Sequence, residues 1–204
     1  MGEWPKRLSL GGLVVLLVLL IGCGGDDGEP SNSSGEATTD AGETTADAEP
    51  APVTKADLSK EAKRICNARD KELDDLLTES DKAQAIAIDP ETLTSVEATE
   101  KAATEVARIQ DELAKLKLET TKELSKLEAP EPALLENFAE TSEEYAAALG
   151  RVADAWRTYG KDPTQKNVGA ITSAQEAQVK ASAADQKAAE KLNLKQCSQT
   201  AGSA

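Results

Sequence analysis

The sequence predicts an all-α domain over residues 55–197, folded as an up-down four-helix bundle. Three observations predict it. Aliphatic residues recur every three or four positions through the domain, glycine and proline fall mainly outside it, and the segments between its periodic stretches are short. This period places the aliphatic side chains on one face of each helix, and short connections make successive helices antiparallel neighbours.

The first helix is predicted to begin after Thr54. The segment Thr54-Lys55-Ala56-Asp57 resembles a capping box, in which a threonine hydroxyl and an acidic side chain three residues later each bind the other residue's backbone N–H. The sequence leaves open whether residues 78–89 extend this helix or form a loop. The positions expected on its buried face are Leu58, Ala62, Ile65, Cys66, Leu73, Leu76 and Leu77.

The second helix is predicted to begin at Asp89-Pro90. Aspartate caps helix N-termini, and proline is tolerated in the first turn because its missing N–H leaves no hydrogen bond unmade there. The helix should end before Pro130-Glu131-Pro132, since proline breaks a helix interior. Its apolar positions are Leu93, Val96, Ala103, Val106, Leu113, Leu116, Leu124 and Leu127.

The third helix is predicted to end at Gly160, a residue type common just after helix C-termini. Asp162-Pro163 then repeats the Asp-Pro start and opens the fourth helix. The apolar stripe of the third helix consists of Leu134, Phe138, Tyr145, Leu149, Val152, Trp156 and Tyr159. The stripe of the fourth consists of Val168, Ile171, Val179, Ala189 and Leu192.

Residues 1–22 have the composition of a secretory leader. Lys6 and Arg7 precede an apolar run over 8–21, which is too short to cross a bilayer as a helix of about 20 residues. The run ends in Leu20-Ile21-Gly22-Cys23, which resembles the lipobox of bacterial lipoproteins. The resemblance implies cleavage after Gly22 and fatty acyl chains such as palmitate on Cys23. An uncleaved signal anchor, or an ordinary secretory signal with an incidental cysteine, is the alternative.

Residues 24–54 are predicted to form a disordered tether. They contain eight acidic residues and no basic one, and such a composition buries too little apolar surface to fold. The tether would hold the domain away from the membrane. The eight carboxylates of the tether and the single excess positive charge of the leader together give a net charge of −7. This is half of the net charge of −14, so residues 55–204 carry the other −7. Residues 198–204 are expected to be a flexible tail.

The cysteines supply a second inference. If Cys23 carries the lipid, Cys66 and Cys197 remain, and outside the cytoplasm an even pair usually bonds. Cys66 lies on the apolar side of the first helix and Cys197 just after the fourth, and these two ends meet in an up-down bundle. The sequence therefore predicts one disulfide that closes the bundle, with two free thiols as the alternative.

The amino-acid composition also limits the kinds of catalytic and binding site that the chain can form. The chain has no histidine, which excludes Ser-His-Asp and Cys-His catalytic sets and the Glu-x-x-His sites of di-iron bundles. Its negative charge disfavours nucleic acid as a partner. Glu143-Glu144 and Asp74-Asp75 are neighbours on helices and point in different directions, so we interpret them as solvated. We predict no enzymatic activity, metal or cofactor.

Tyr145, Trp156 and Tyr159 are the candidate ligand-binding residues. Their spacing fits core positions of the third helix, so core packing is the first interpretation. A ligand-stacking pocket between the helices is the second.

The domain resembles small extracytoplasmic helical lipoproteins of high-GC Gram-positive bacteria. These often have one cysteine in the first helix and another in a terminal Leu-Gly-Leu-x-x-Cys segment. Here that segment reads Leu192-Asn193-Leu194-Lys195-Gln196-Cys197, and asparagine, like glycine, tolerates a left-handed helix stop. The group carries no established activity, so the resemblance implies no site residues.

Two functions remain. The first is a non-enzymatic interaction module, anchored through Cys23 to the extracytoplasmic face of the cell membrane, with an envelope protein or a wall polymer as its partner. The second is a small-ligand binder or sensor with a pocket near the three aromatic residues.

Overall fold

The computed structural model describes residues 53–194 and Cys197. The predictions for the leader, for Cys23, for the tether up to residue 52 and for the tail at 198–204 lie outside these residues. Within the described part, the chain forms an all-α up-down four-helix bundle, as predicted. Its elements are α1 (Lys55–Ala87), a 3₁₀ helix (Thr92–Thr94), α2 (Val96–Leu124), α3 (Pro132–Lys161) and α4 (Gln165–Lys191).

Helix α1 begins where the sequence predicts, and it continues into the segment 78–89 that the sequence left open. The Thr54 hydroxyl accepts a hydrogen bond from the Asp57 N–H at 3.2 Å, and the Asp57 carboxylate accepts one from the Thr54 N–H at 3.1 Å. The Thr54 hydroxyl also donates a hydrogen bond to the Asp57 carboxylate at 2.7 Å. This bond, together with the one from the Thr54 N–H, holds the pKa of Asp57 below its usual range. Residues 78–87 continue the helix, because Ala83 and Ala87 extend its buried face.

Helix α2 begins at Val96, so the predicted start at Asp89-Pro90 is wrong. The Asp89 carboxylate accepts a hydrogen bond from the Glu91 N–H at 2.8 Å and forms a turn, and the helix is capped by the Ser95 hydroxyl. The hydroxyls of Thr94 and Thr99 donate hydrogen bonds to nearby backbone carbonyls, a pattern that competes with regular helix. Two residues predicted to face the core, Leu93 and Val96, are therefore exposed.

The connection between α3 and α4 also differs from prediction. Asp162 caps the C-terminus of α3, and Thr164 holds the N-cap position of α4. Gly160 lies inside α3 and does not terminate it. A Cβ atom at this position would lie 2.9 Å from the Cβ of Ala103 and 3.3 Å from the Cα of Glu100. Glycine is needed here because α2 and α3 approach closely.

Gly160→Ala should lower the free energy of unfolding by about 1–3 kcal/mol, the usual cost of overpacking. The reason is that part of the clash is with the α2 backbone, which cannot rotate away as a side chain can. Gly150→Ala is the matched control, since no atom lies within 4 Å of its added Cβ. The control should raise the free energy of unfolding by about 0.5–1 kcal/mol through helix propensity. Urea titration followed by circular dichroism measures both, and equal effects would contradict the packing role.

The core is divided into two clusters. The distal core contains the buried apolar residues of 76–87 on α1 and of 102–116 on α2, together with Ile171. From α3 it contains Tyr145, Leu149, Val152, Ala153, Trp156 and Tyr159. The proximal core lies at the end where the chain enters α1. It consists of Leu58, Ala62, Ile65, Cys66, Leu124, Leu135, Phe138, Ala188, Ala189, Leu192 and Leu194.

The prediction that Val179 lies on the buried stripe of α4 is wrong, since its side chain is 69% exposed. Among the described helices, α4 packs beside α3, and its backbone does not approach α1 along its length. A residue on the flank of α4 therefore stays in solvent.

The two ends of the domain are joined at the proximal core. Cys66 and Cys197 form the predicted disulfide, with a Cα–Cα distance of 5.3 Å. Before it, α4 stops at Asn193, which has φ of 58°. The N–H of Leu194 donates to the Ala189 carbonyl at 2.8 Å, and the N–H of Asn193 donates to the Glu190 carbonyl at 3.0 Å. This is a Schellman motif, and its left-handed position is held by Asn193, the residue at which the sequence allows a left-handed helix stop.

None of the helices in the described part is both long enough and apolar enough to cross a membrane.

Candidate functional site

The three candidate aromatic residues all lie in the distal core. Trp156 and Tyr159 are buried, and their rings meet edge to face with centroids 5.9 Å apart. Tyr145 is also buried, but it lies three helical turns earlier on α3, about 16 Å away along the axis. The structure thus brings Trp156 and Tyr159 together and leaves Tyr145 in a different environment.

Tyr145 lies beside a buried ion pair that joins α2 to α4. The Lys117 ammonium on α2 lies 2.7 Å from the Asp185 carboxylate on α4. The Ser142 hydroxyl on α3 donates a hydrogen bond to the other carboxylate oxygen of Asp185. The side chain of Asp185 is fully buried and that of Lys117 is 12% exposed. We call Lys117, Ser142 and Asp185 the polar centre.

Aromatic rings complete the surroundings of the Lys117 ammonium. Its nitrogen lies 5.3 Å from the centroid of the Phe138 ring and 5.9 Å from that of Tyr145, both within cation–π distance. Phe138 belongs to the proximal core and Tyr145 to the distal core, so the polar centre lies where the two cores meet.

The electrostatics follow from burial. Burial lowers the pKa of Lys117, and the adjacent charge of Asp185 opposes that shift. Burial raises the pKa of Tyr145, and a hydrogen bond with Gln178 on α4 opposes it. Three helices each contribute one member of the polar centre, and a slip of any of them would separate a buried charge from its partner. We interpret this arrangement as a device that fixes helix register.

Sequence reasoning missed the polar centre, although a signal was present. Lys117 lies four residues after Leu113 and Asp185 lies three before Ala188, so both occupy buried stripes. A lysine on one apolar stripe and an aspartate on another are a candidate pair. The sequence does not say which helices lie close enough to pair them.

Two buried polar atoms in the described part have no hydrogen-bond partner. They are the indole nitrogen of Trp156 and the amide oxygen of Gln110. The amide nitrogen of Gln110 donates to the Ser80 hydroxyl at 3.2 Å. The described residues therefore leave one donor on α3 and one acceptor on α2 unpaired.

The adjacent acidic residues noted in the sequence, and two arginines that link α1 to α2, lie on the surface. The paired carboxylates at 74–75 and 143–144 are exposed, as predicted. Arg69 bridges α1 to Glu119 and Glu123 on α2, and Arg108 bridges α2 to Glu79 on α1. Among the described residues, no three histidine, cysteine or acidic side chains gather as a metal site would require.

No known protein family, curated protein or solved structure matches this chain. Its function must therefore be inferred from its own residues.

Proposed function

We propose that this protein is a lipid-anchored, extracytoplasmic interaction module without enzymatic activity. Its lipid is attached to Cys23, and residues 24–54 form the tether between the membrane and the helical bundle. The bundle binds a partner in the cell envelope, which is a protein or a wall polymer.

The disulfide is the observation that carries this proposal. Bonds such as Cys66–Cys197 form and persist in oxidising compartments and are rare in the cytosol. The chain has three cysteines, so the disulfide leaves Cys23 as the one available for a lipid. The compartment implied by the disulfide agrees with the compartment implied by the leader.

The direction of the bundle supports an interaction role. The chain enters α1 at Thr54, at the end that holds the proximal core and the disulfide. Helix α1 extends about 50 Å from that point. A bundle tethered in this way has its opposite end, which carries the α1–α2 connection, free to meet a partner.

The buried charges support a non-enzymatic role. Lys117 and Asp185 pair with each other in the interior, and this pairing suits a structural part in the fold.

Cys23→Ala should move the protein from the membrane fraction to the soluble extracytoplasmic fraction and leave the thermal stability of the domain unchanged. The reason is that residues 24–54 separate Cys23 from α1. Cell fractionation and circular dichroism measure the two effects. Cys197→Ser is the control for fractionation alone: it removes a cysteine and lowers the stability of the domain, but it keeps the lipid site and should stay with the membrane. A Cys23→Ala protein retained in the membrane fraction would contradict the anchor.

One observation favours the second function, binding of a small ligand between the helices. The free indole N–H of Trp156 and the free amide oxygen of Gln110 are a donor and an acceptor that a polar molecule could satisfy. Native mass spectrometry of the protein from its host would then detect a bound small molecule that is lost in Gln110→Leu. A protein of unliganded mass would count against this function.

A further inference from the structure

The end of the bundle opposite the disulfide exposes a group of aliphatic side chains. These residues are 36% to 65% exposed and lie within residues 86–96, which comprise the end of α1, the α1–α2 connection and the first residue of α2. They are Ile86, Ile88, Leu93 and Val96, which we call the apolar tip. Elsewhere in the described part, the exposed large aliphatic residues are Leu118 and Val179, which lie singly on α2 and α4. Single exposed aliphatic residues are ordinary on protein surfaces, whereas a group is typical of a binding site.

Folding does not explain the apolar tip. The last turns of α1 bury the small residues Ala83 and Ala87 and leave the larger Ile86 in solvent. Ile86 keeps 57% of its surface in solvent, so it gains little from burial, and isoleucine favours helix less than alanine does. The connection is nevertheless ordered by hydrogen bonds, among them those from the Asp89 N–H to the Ile86 carbonyl and from the Leu93 N–H to the Asp89 carbonyl. The side chains are therefore held on a defined turn.

The charges around the apolar tip are predominantly negative. Residues 81–101 include five exposed carboxylates and two exposed lysines, Lys82 and Lys101. Within the described part, none of these seven groups takes part in an ion pair. The neighbouring end of α3 and start of α4 carry Lys161, Asp162 and Lys166, which add one net positive charge, so this end stays negative. The carboxylates are those of Asp81, Asp89, Glu91, Glu97 and Glu100.

We propose that the apolar tip docks a basic amphipathic segment of a partner protein in the cell envelope. Aliphatic side chains of that segment would cover the apolar tip, and its lysine or arginine residues would meet the unpaired carboxylates. A second copy of this chain would oppose like charges, and so would a surface of anionic lipid. This inference rests on the proposed function, because the partner must share the extracytoplasmic compartment.

The test is site-specific photocrosslinking of the full-length lipidated chain in intact host cells. A photoreactive amino acid replaces Leu93 in one strain and Val96 in another, and matched controls carry it at Leu118 and Val179. Mass spectrometry of each adduct identifies the crosslinked segment. We expect adducts at the two tip positions, with a protein segment rich in lysine or arginine and aliphatic residues.

Charge reversal tests the complementarity directly. Glu91→Lys combined with Glu97→Lys should lower the adduct yield at position 93 by about tenfold or more, because like charges would then face each other. Glu128→Lys combined with Glu136→Lys is the control with the same charge change at the other end of the bundle. It should alter the yield by less than about twofold, since distant surface charges are screened.

The proposal is overturned by adducts with a second copy or with lipid, by an acidic partner segment, by equal yields at Leu118 or Val179, or by no adduct at all. Membrane fractionation of the same cells separates this failure from failure of the proposed function. An anchored protein without the expected adduct contradicts the docking surface alone, and a protein absent from the membrane fraction contradicts the anchor.

Discussion

Replacing Cys197 with serine should lower the free energy of unfolding by about 5 kcal/mol in the chain-entropy model. The disulfide joins residues 131 positions apart, and a loop of this length restricts the unfolded chain strongly. The loss should be large relative to the whole, because domains of this size are stable by roughly 5–15 kcal/mol. Guanidinium titration of the oxidised wild type and of Cys197→Ser under the same conditions measures it.

Two comparisons make this result interpretable. Reduction of the wild type should give nearly the same loss as Cys197→Ser, because both remove the covalent link and keep the packing. Cys66→Ser should cost more than Cys197→Ser, since Cys66 is 4% exposed in the proximal core, where a hydroxyl needs a hydrogen-bond partner. A loss below about 1 kcal/mol in Cys197→Ser would show that the disulfide does not hold the domain together.

The helices could be predicted from the sequence because each leaves a repeated local signal. The capping box at Thr54 depends on a few adjacent residues, and the structure confirms it. Helix α2 ends before the two prolines, as predicted, but it already stops at Leu124, and Pro132 opens α3. The disulfide could also be predicted, because connection lengths determine which ends of an up-down bundle meet.

The predictions of helix ends are wrong where the same short sequence is compatible with two local structures. Asp89-Pro90 is compatible with a helix start and with a turn, and the hydrogen bonds of the Asp89 and Thr99 side chains favour the turn. Gly160 is compatible with a helix stop and with a close helix contact, and only the position of Ala103 distinguishes them.

The candidate site was less predictable than the fold. Aromatic spacing correctly placed Tyr145, Trp156 and Tyr159 in the core, but a stripe on one helix does not show which of its members meet. The polar centre depends on residues from three helices, and the exposure of the apolar tip depends on where α2 begins. Both are properties of the assembled bundle.

Asp185→Ala should lower the free energy of unfolding by about 3–5 kcal/mol, because it leaves the buried Lys117 ammonium without its partner. Replacing both charges, as in Lys117→Met with Asp185→Leu, should recover most of that loss, since a well-packed apolar pair can substitute for a buried ion pair. Chemical denaturation of the two single variants and the double variant gives the coupling between the residues. Additive losses would show that the two charges do not depend on each other.

The pH dependence of the free energy of unfolding of Asp185→Ala shows whether the variant is destabilised by the unpaired Lys117 ammonium or by lost packing. Burial already lowers the pKa of Lys117 in the wild type against the opposing charge of Asp185, so removal of Asp185 should lower this pKa further. In the unfolded chain, Lys117 keeps an ordinary lysine pKa of about 10.4. Between these two pKa values the unfolded state binds more protons than the folded state, so the free energy of unfolding rises with pH. The deficit of Asp185→Ala should therefore shrink towards alkaline pH, whereas a deficit that stays constant with pH would mean that lost packing, and not the unpaired ammonium, destabilises the variant.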